Sequence, residues 1–527
     1  MIKNELTFEE LGLSSQLVRD LIAGTPETSD LIDLPFSLKN IPNQIAKKSF
    51  DTESRSVLHA AFVKQYGDVE LTEASKENLE KLKSENTYTI CTGHQLNLLT
   101  GPLYSIYKIA QVVSLSNQLQ QLYPNFNFVP VFWMATEDHD YDEINHLRMF
   151  GKKLSWERET NNSVVGRLNL EGIDPFLEEV EGMYQNEDLK AKIQELTTFY
   201  RNSPTLTEAT RKLINFLFGK YGLLILDGDD KSLKARFTPT IQKELTEGFV
   251  EKFVNETNGE LTKRNYHTQV YVRDCNLFYI HEDGQRQRIE RKGDNFAFGE
   301  KEYGREELLK ESVEHPDRFS PNALMRPMYQ ETVLPNLVYL GGGGEIAYWL
   351  QLKSAFEGAK IPFPMIRTRD SYILLNDKDE AVLKEFNLQL PDLKRDVQHI
   401  VKEMALEESE MDFGLDTERE QIEMVKQALL EKAATIDKGL SQSIEGEFVK
   451  ISRSIDNIAG RLIKAEKKKH EGSLKKLQRL QSKVFPENGF QERYDNMIPT
   501  YLQKEGLVDL LVELSVANGL LVRVLNI

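Results

Sequence analysis

Apolar positions along this chain follow two alternating rhythms. Compact runs of β-branched and aromatic residues recur at Thr87–Cys91, Phe128–Met134, Tyr221–Asp227, Asn336–Leu340 and Phe363–Arg367. Runs of this length, bounded by glycine or charge, read as buried strands. Between the first two, Leu103, Ile106, Tyr107, Ala110, Val113 and Leu115 are spaced three or four apart. This predicts a helix opening at Gly101-Pro102, where proline is tolerated because its missing N–H would be unpaired anyway. Strand, helix and strand in that order form a βαβ unit with a right-handed crossover onto a parallel sheet. The five runs predict about five strands of a doubly wound sheet. Two stretches break the rhythm, at about 147–210 and 256–320. LRMFGKKLSWERET and SVVGRLNL precede a charged helix in the first, and YHTQVYVRDCNLFYI and QRQRIERKGDNFAFG alternate like antiparallel strands in the second. Both read as insertions. The segment from Met1 to about Glu85 reads as mainly helical, with a proline-marked loop at Leu34-Pro35 and Ile41-Pro42.

After Ile373 the composition shifts to Glu, Lys, Leu and Gln. Ile422, Val425, Leu429, Ala433, Ile436 and Leu440 keep helical spacing, as do Ile444, Phe448, Ile451, Ile455, Ile458 and Leu462. Sustained spacing with charged flanks is a coiled-coil signal. One helix over Asp416–Phe485 would run about 100 Å at about 1.5 Å per residue; a hairpin near Asp437-Lys438-Gly439 is the alternative. The last stretch, rich in apolar residues again, is expected to dock on the sheet domain. The expected division is therefore 1–375 for the sheet core with its inserts, 376–485 for the helical domain and 486–527 for the docking segment.

At 527 residues the chain exceeds one core, and 28% charged with 40% hydrophobic residues describe a globular protein. A net charge of −17 argues against nucleic-acid binding, which needs clustered Lys and Arg. Cys91 and Cys275 are the two cysteines, too few for a disulfide framework or a thiolate-rich zinc site. The start, MIKNELTFEELGLSSQ, has no apolar signal core and no run reaches the length of a membrane span, so a cytoplasmic enzyme is expected.

The polar residues just past the strand ends carry the chemistry, because open α/β sheets bind ligands there. Thr92-Gly93-His94-Gln95 follows the first strand; its backbone and the next helix start could hold an anion, with His94 stabilising charge or shuttling a proton. Glu137-Asp138-His139-Asp140 follows the second, with Glu143 and His146 close behind. Like charges so close must shift a pKa or share a cation or basic ligand. His139, Glu143 and His146 would offer a metal nitrogen and oxygen ligands, although the spacing is not HExxH. Gly341-Gly342-Gly343-Gly344 before Glu345 allows close backbone approach without being a Walker loop, since no GK[ST] follows. Arg367 and Arg369, past the last strand, suit carboxylate or phosphate. Cys91 reads as buried and inert, and Trp133 first as core.

GHQLNLLTGPLYSIYKI, VPVFWMATEDHDYDEINH, YLGGGGEIAYWLQL and VFPENGFQER resemble the BshC family, named for a cysteine ligase of bacillithiol biosynthesis. The resemblance implies joining cysteine to the amine of glucosaminyl malate. It implies a Rossmann-like core, similar to class I synthetases and nucleotidyltransferases, with two connecting inserts and a carboxyl-terminal α-helical coiled coil. It also implies a homodimer through that coiled coil and ATP as activating cofactor, with no metal. Where those synthetases carry His-x-Gly-His, this chain has Cys91-Thr92-Gly93-His94, which moves the emphasis to Gln95. Under this reading Gln95, His94, Glu137, Asp138 and His139 are catalytic, and Gly93, Gly101, Gly341–Gly344 and Glu345 bind the cofactor. Tyr104, Lys108, Trp133, Asp140, Tyr348, Arg367 and Arg369 then contact substrate. The rival expectations are a metal-dependent hydrolase on His139, Glu143 and His146, and a non-catalytic nucleotide-binding coiled-coil protein.

Overall fold

The computed structural model describes residues 2–67, 69–407, 414–437, 439–515 and 521–527. Its organising element is a five-stranded, all-parallel sheet made of β1 (Thr87–His94), β2 (Asn127–Met134), β3 (Leu224–Asp227), β4 (Asn336–Gly341) and β5 (Met365–Thr368). The strand order is β5-β4-β1-β2-β3. All five strands lie where the apolar runs place them, and the fold is the Rossmann-like α/β architecture. The strands read as unbroken apolar runs because both faces are covered; β1 is buried from Thr87 to Gly93.

The order reverses between β1 and β4, which makes their carboxyl ends the topological switch point of the sheet. β1 and β2 pair in register to their ends, with His94 opposite Met134. The turns after both strands therefore open on the same edge. Helix α1 (Leu103–Leu122) crosses from β1 to β2 with Pro102 as its N-cap. It is sunk into the core on nearly every side, and even Lys108 and Gln111 are about 99% covered.

Several expectations change in detail. The amino-terminal segment opens with a strand, Ile2–Thr7, which pairs antiparallel with Leu521–Asn526 and so closes the two ends of the chain on each other. After β3 the chain forms two consecutive helices, α2 (Lys231–Glu247) and Phe249–Lys263. Gly248, at φ +58°, adopts the left-handed conformation that ends the first of them. Leu277–Ile280, rather than the whole of 266–279, is the strand of the second insert, pairing with Arg286–Arg288 and Phe319–Pro321. Helix α3 (Arg326–Val333) leads into β4, and α4 (Gly343–Trp349) follows that strand, with a second short helix at Lys353–Ala359.

Residues Met1–Leu374 with Glu492–Ile527 form one compact unit, and Leu375–Gln491 form a second. Within the second, α5 (Asp416–Ala434) and α6 (Gly439–Lys469) lie side by side. Arg419 donates to Asp456 at 2.7 Å across them, so they run antiparallel. A single helix over Asp416–Phe485 is thereby replaced by a hairpin, with α7 (Glu471–Val484) continuing beyond His470. Lys438, in the expected turn, lies outside the described residues. No helix among the described residues is long and apolar enough to cross a membrane.

One buried ion pair fastens the amino-terminal segment to the sheet. Lys48 Nζ lies 3.2 Å from Glu331 on α3, with both side chains almost fully excluded from solvent. Glu331 also accepts from Asn336 at the start of β4 (2.7 Å) and from Gln330 (3.0 Å). Removing one partner strands a charge in the core. Lys48→Met is expected to destabilise the protein by about 3–5 kcal/mol, read as a lowered urea midpoint. The double variant Lys48→Met/Glu331→Gln should recover part of that loss.

Candidate functional site

A cavity of about 670 Å³ opens at the switch point. Its walls come from the ends of β1, β2 and β4, the start of α1, the second insert and the carboxyl-terminal segment. The floor is held by an ion pair between Lys108 and Glu345. Lys108, one turn into α1, also donates to the Gly93 carbonyl at 2.9 Å. Glu345 accepts from the Gly342 amide (2.8 Å) and from the Tyr339 hydroxyl (2.8 Å). Burial alone would raise the Glu345 carboxyl, but Lys108 and these donors hold it down at about 2. The Gly342 amide of the glycine turn is thus already occupied by a carboxylate. That distinguishes the turn from a phosphate loop, as does the brevity of α4.

His94 sits above this pair, its ring edge-on to Tyr104 at 5.1 Å. Its Nε2 is buried without a hydrogen-bond partner among the described residues. Burial, and then the positive charges of Lys108 and Arg369, push its pKa down to about 3. Near pH 7 its imidazole is therefore neutral, which disfavours the imidazolium form that proton shuttling would pass through. It remains a neutral donor or acceptor.

The lining also carries acceptors. Gln95 Nε2 donates to Asp138 Oδ2 and to Glu143 Oε2, both at 2.7 Å. Asp138 Oδ1 receives the backbone amides of His139 (2.8 Å) and Asp140 (3.3 Å). Against the effect of burial, the Gln95 bond and the Arg286 charge lower the Asp138 pKa, so it is a carboxylate at neutral pH. Glu137 turns away to an ion pair with buried Lys234 at 2.5 Å. Lys234 is shared with Asp229 (3.4 Å), which Arg167 holds bidentately at 2.7 and 2.9 Å. Burial raises the Glu137 pKa even so. This residue buttresses the turn more than it offers a free carboxylate.

Cationic groups complete the cavity. Arg326 donates to Gln330 (2.9 Å) and Tyr348 (3.3 Å) and lies over the Tyr339 ring. Arg369 is locked to Glu492 and Ser371, but its Nε is buried and unpartnered among the described residues. Arg273, Arg288 and Arg493 line the cavity and make no side-chain hydrogen bond or ion pair among the described residues.

Of the residues singled out from the sequence, Gly93, His94, Gln95, Tyr104, Lys108, Trp133, Glu137, Asp138, His139, Gly342, Gly344, Glu345, Tyr348 and Arg369 line this cavity together. Five do not. Gly101, at φ +62°, serves the turn into α1; a Cβ there would lie 2.4 Å from Asn97. Gly341 is a buried strand residue, and Gly343 packs on Ser14. Asp140 is exposed at the start of a short helix. Arg367 is buried 3.6 Å from Asp370 with its guanidinium over Phe36, on the face of β5 that the amino-terminal segment covers. Trp133 does both jobs expected of it, lining the cavity while packing edge-on to Tyr329.

The metal-hydrolase constellation does not assemble. His139 Nδ1 faces Arg286 at 3.1 Å and His146 Nδ1 faces Asn145 at 3.1 Å. Among the described residues the only group with ligand atoms close enough for one ion is Glu311, Glu314 and His315, outside this cavity. Sequence reasoning missed Arg286, Arg326, Arg273, Arg288 and Arg493. The available signal was the density of basic residues in the QRQRIERK run and the Arg326-Pro327 helix start.

The His94 pKa gives a signed stability prediction. The unfolded chain takes up this proton near 6.5 and the folded protein only near 3. Stability from this residue is therefore complete above 6.5 and lost as pH falls, by about 1.4 kcal/mol per pH unit. Urea unfolding between about pH 6 and pH 4 should show His94→Gln losing stability less steeply than wild type; parallel curves would contradict the buried neutral imidazole.

Two family models match almost the whole chain. "Bacillithiol biosynthesis BshC, N-terminal Rossmann-like domain" covers residues 1–370, and "Bacillithiol biosynthesis BshC, C-terminal coiled-coil domain" covers 372–518. A relative from Flavobacterium johnsoniae is 40% identical over 516 residues, 96% of each chain. One from Christiangramia forsetii is 36% identical over 524 residues, 97% of each chain. One from Lysinibacillus sphaericus is 30% identical over 479 residues, 86% of each chain. All three bear the name "Putative cysteine ligase BshC".

Proposed function

The chain belongs to the BshC family, and from that premise we propose that it is a cytoplasmic ligase of bacillithiol biosynthesis that joins the carboxyl group of cysteine to the amine of glucosaminyl malate. The product would be bacillithiol itself, making this the last step. The observation that carries the reading is the polarity of the cavity. Its lining combines carboxylates bridged by an amide, Asp138–Gln95–Glu143, with Arg273, Arg288 and Arg493, which make no side-chain hydrogen bond or ion pair among the described residues. The substrates match both sets, having amines for the first and carboxylates for the second.

Amide formation from a free carboxylate requires activation, and ATP would supply it by giving the carboxyl carbon a good leaving group. Residues that fit a polyanion are present. Arg369 Nε and His94 Nε2 have no partner among the described residues, and both side chains line the cavity together with Arg493 and Arg326. The glycine turn fits it less well, because Glu345 already takes the Gly342 amide. In this scheme Asp138 and Glu143 orient the attacking amine, and Asp138 receives its proton. Gln95, held between them, fixes the distance between the two carboxylates. His94 and Arg369 stabilise the negative charge that develops on the carbonyl oxygen. Arg273, Arg288 and Arg326 take the malate carboxylates, where the guanidinium fork matches carboxylate geometry. Trp133 and Phe278 exclude water from the reacting carbon.

Incubation of the full chain with glucosaminyl malate, cysteine and ATP, followed by mass spectrometry, should yield a new thiol of the condensed mass. Gln95→Ala and Asp138→Ala should each lower kcat by about 10²–10⁴. An absence of product under all nucleotide conditions would overturn the ligase reading and leave a nucleotide-binding coiled-coil protein.

A second copy is the proposed partner of the helical domain. Met424, Val425 and Leu429 on α5, and Val449, Ile451 and Ile458 on α6, are exposed apolar residues. Homodimerisation through this hairpin would cover them. Sedimentation should give a dimer for wild type and a monomer for Val425→Lys/Ile458→Lys.

A further inference from the structure

Arg286 comes from the second insert yet reaches the turn after β2. Its guanidinium is held on every side. Nε donates to Ser320 Oγ (3.1 Å), Nη2 donates to the Pro321 carbonyl (2.9 Å), and the plane lies 3.9 Å over the Phe278 ring. The remaining nitrogen, Nη1, points at His139 Nδ1 at 3.1 Å. A guanidinium can only donate. Nδ1 must therefore be the acceptor, since an N–H there would set donor against donor. Asp138 Oδ1 is farther from both groups, 3.8 Å from His139 Nδ1 and 3.9 Å from Arg286 Nη1, and already accepts two backbone amides.

We propose that Arg286 is a positioning residue that fixes His139 as the neutral Nε2–H tautomer, so that His139 acts in the cavity as a hydrogen-bond donor and not as a base. The assignment of a role in turnover rests on the ligase reading; the tautomer itself does not. His139 is half-exposed and lines the cavity. With Nδ1 committed, Nε2–H is its free group, and no described residue takes it. Such a donor suits a carbonyl or carboxylate oxygen of the substrate. It leaves Asp138 as the proton acceptor on that wall.

Four charged groups act on the ring. Arg286 and Arg288 approach from the second insert, and Asp138 and Asp140 belong to the ring's own turn. Burial first, and then Arg286, lower the His139 pKa, with the two carboxylates opposing. The direction agrees with the contact geometry. Arg286 thus explains why an insert outside the sheet contributes to the site. It delivers one rigid donor to one ring nitrogen.

The test uses the full chain labelled with 13C,15N-histidine, with the His139 signal assigned by its loss in His139→Gln. Long-range 1H–15N correlation at pH 7 should show Nδ1 unprotonated and Nε2 protonated. On titration, the wild-type signal should stay neutral down to at least about one pH unit below an ordinary histidine, and Arg286→Met should raise the midpoint by about one unit or more. An Nδ1–H tautomer or an imidazolium at pH 7 in the wild type would overturn the proposal whether or not Arg286→Met folds. So would an unchanged midpoint in a folded Arg286→Met. If the tautomer is as stated and no thiol product forms, the ligase reading fails alone. In an active enzyme, the acid limb of kcat/KM should not move in His139→Gln; a limb that disappears would mark His139 as the base after all.

Discussion

An ammonium group buried in an apolar core is tolerated only when it is paired, and Lys108 meets that condition by tying three elements together. It extends from α1 to the carbonyl of Gly93 at the end of β1 and to Glu345 at the start of α4. Glu345 in turn takes the Gly342 amide and the Tyr339 hydroxyl. The switch point of the sheet is thereby set by charge pairing as well as by strand order. The same ammonium lies beside His94 and, after burial, is the chief reason that its imidazole stays neutral. Removing this cation would change the shape of the floor and the protonation of the residue above it together.

Around that floor the cavity holds both paired and unpaired charges. Lys234, Lys108 and Arg369 are each answered by an acidic partner, as Glu137, Glu345 and Glu492 show. Among the described residues Arg273, Arg288 and Arg493 have no such partner. In a chain of net charge −17, these arginines in the cavity lining are a local exception that would draw anions in and orient them. The Asp138–Gln95–Glu143 arrangement in the same lining offers the opposite polarity to an amine. This combination, more than any single residue, supports a reaction between an amine and a carboxylate.

The sheet was legible in the sequence because fully buried parallel strands leave unbroken apolar runs, and α1 because its apolar stripe has a period no strand shares. The position of the site followed from the same reasoning, since polar residues at the ends of β1 and β2 have few other uses. What could not be read was the second insert's contribution. Arg286 and Arg288 sit on a short strand far along the chain, and only the folded path brings them to the turn after β2. Arg367 and Arg369 show the converse limit. Two residues apart, they look equivalent in sequence, yet Phe36 covers one and the cavity receives an edge of the other. The glycine run shows in sequence that a ligand could approach the backbone closely, but not that Glu345 occupies its Gly342 amide.

The central claim is that substrate binds across the switch point with its carboxylates on the arginines and its amine toward Asp138 and Glu143. A crystal structure of the full chain soaked with glucosaminyl malate tests this directly. The account predicts density spanning the cavity, with the malate carboxylates within hydrogen-bonding distance of at least two of Arg273, Arg288 and Arg326, and the sugar amine beside Asp138. Ordered ligand bound elsewhere on the molecule, with this cavity holding only solvent, would contradict it.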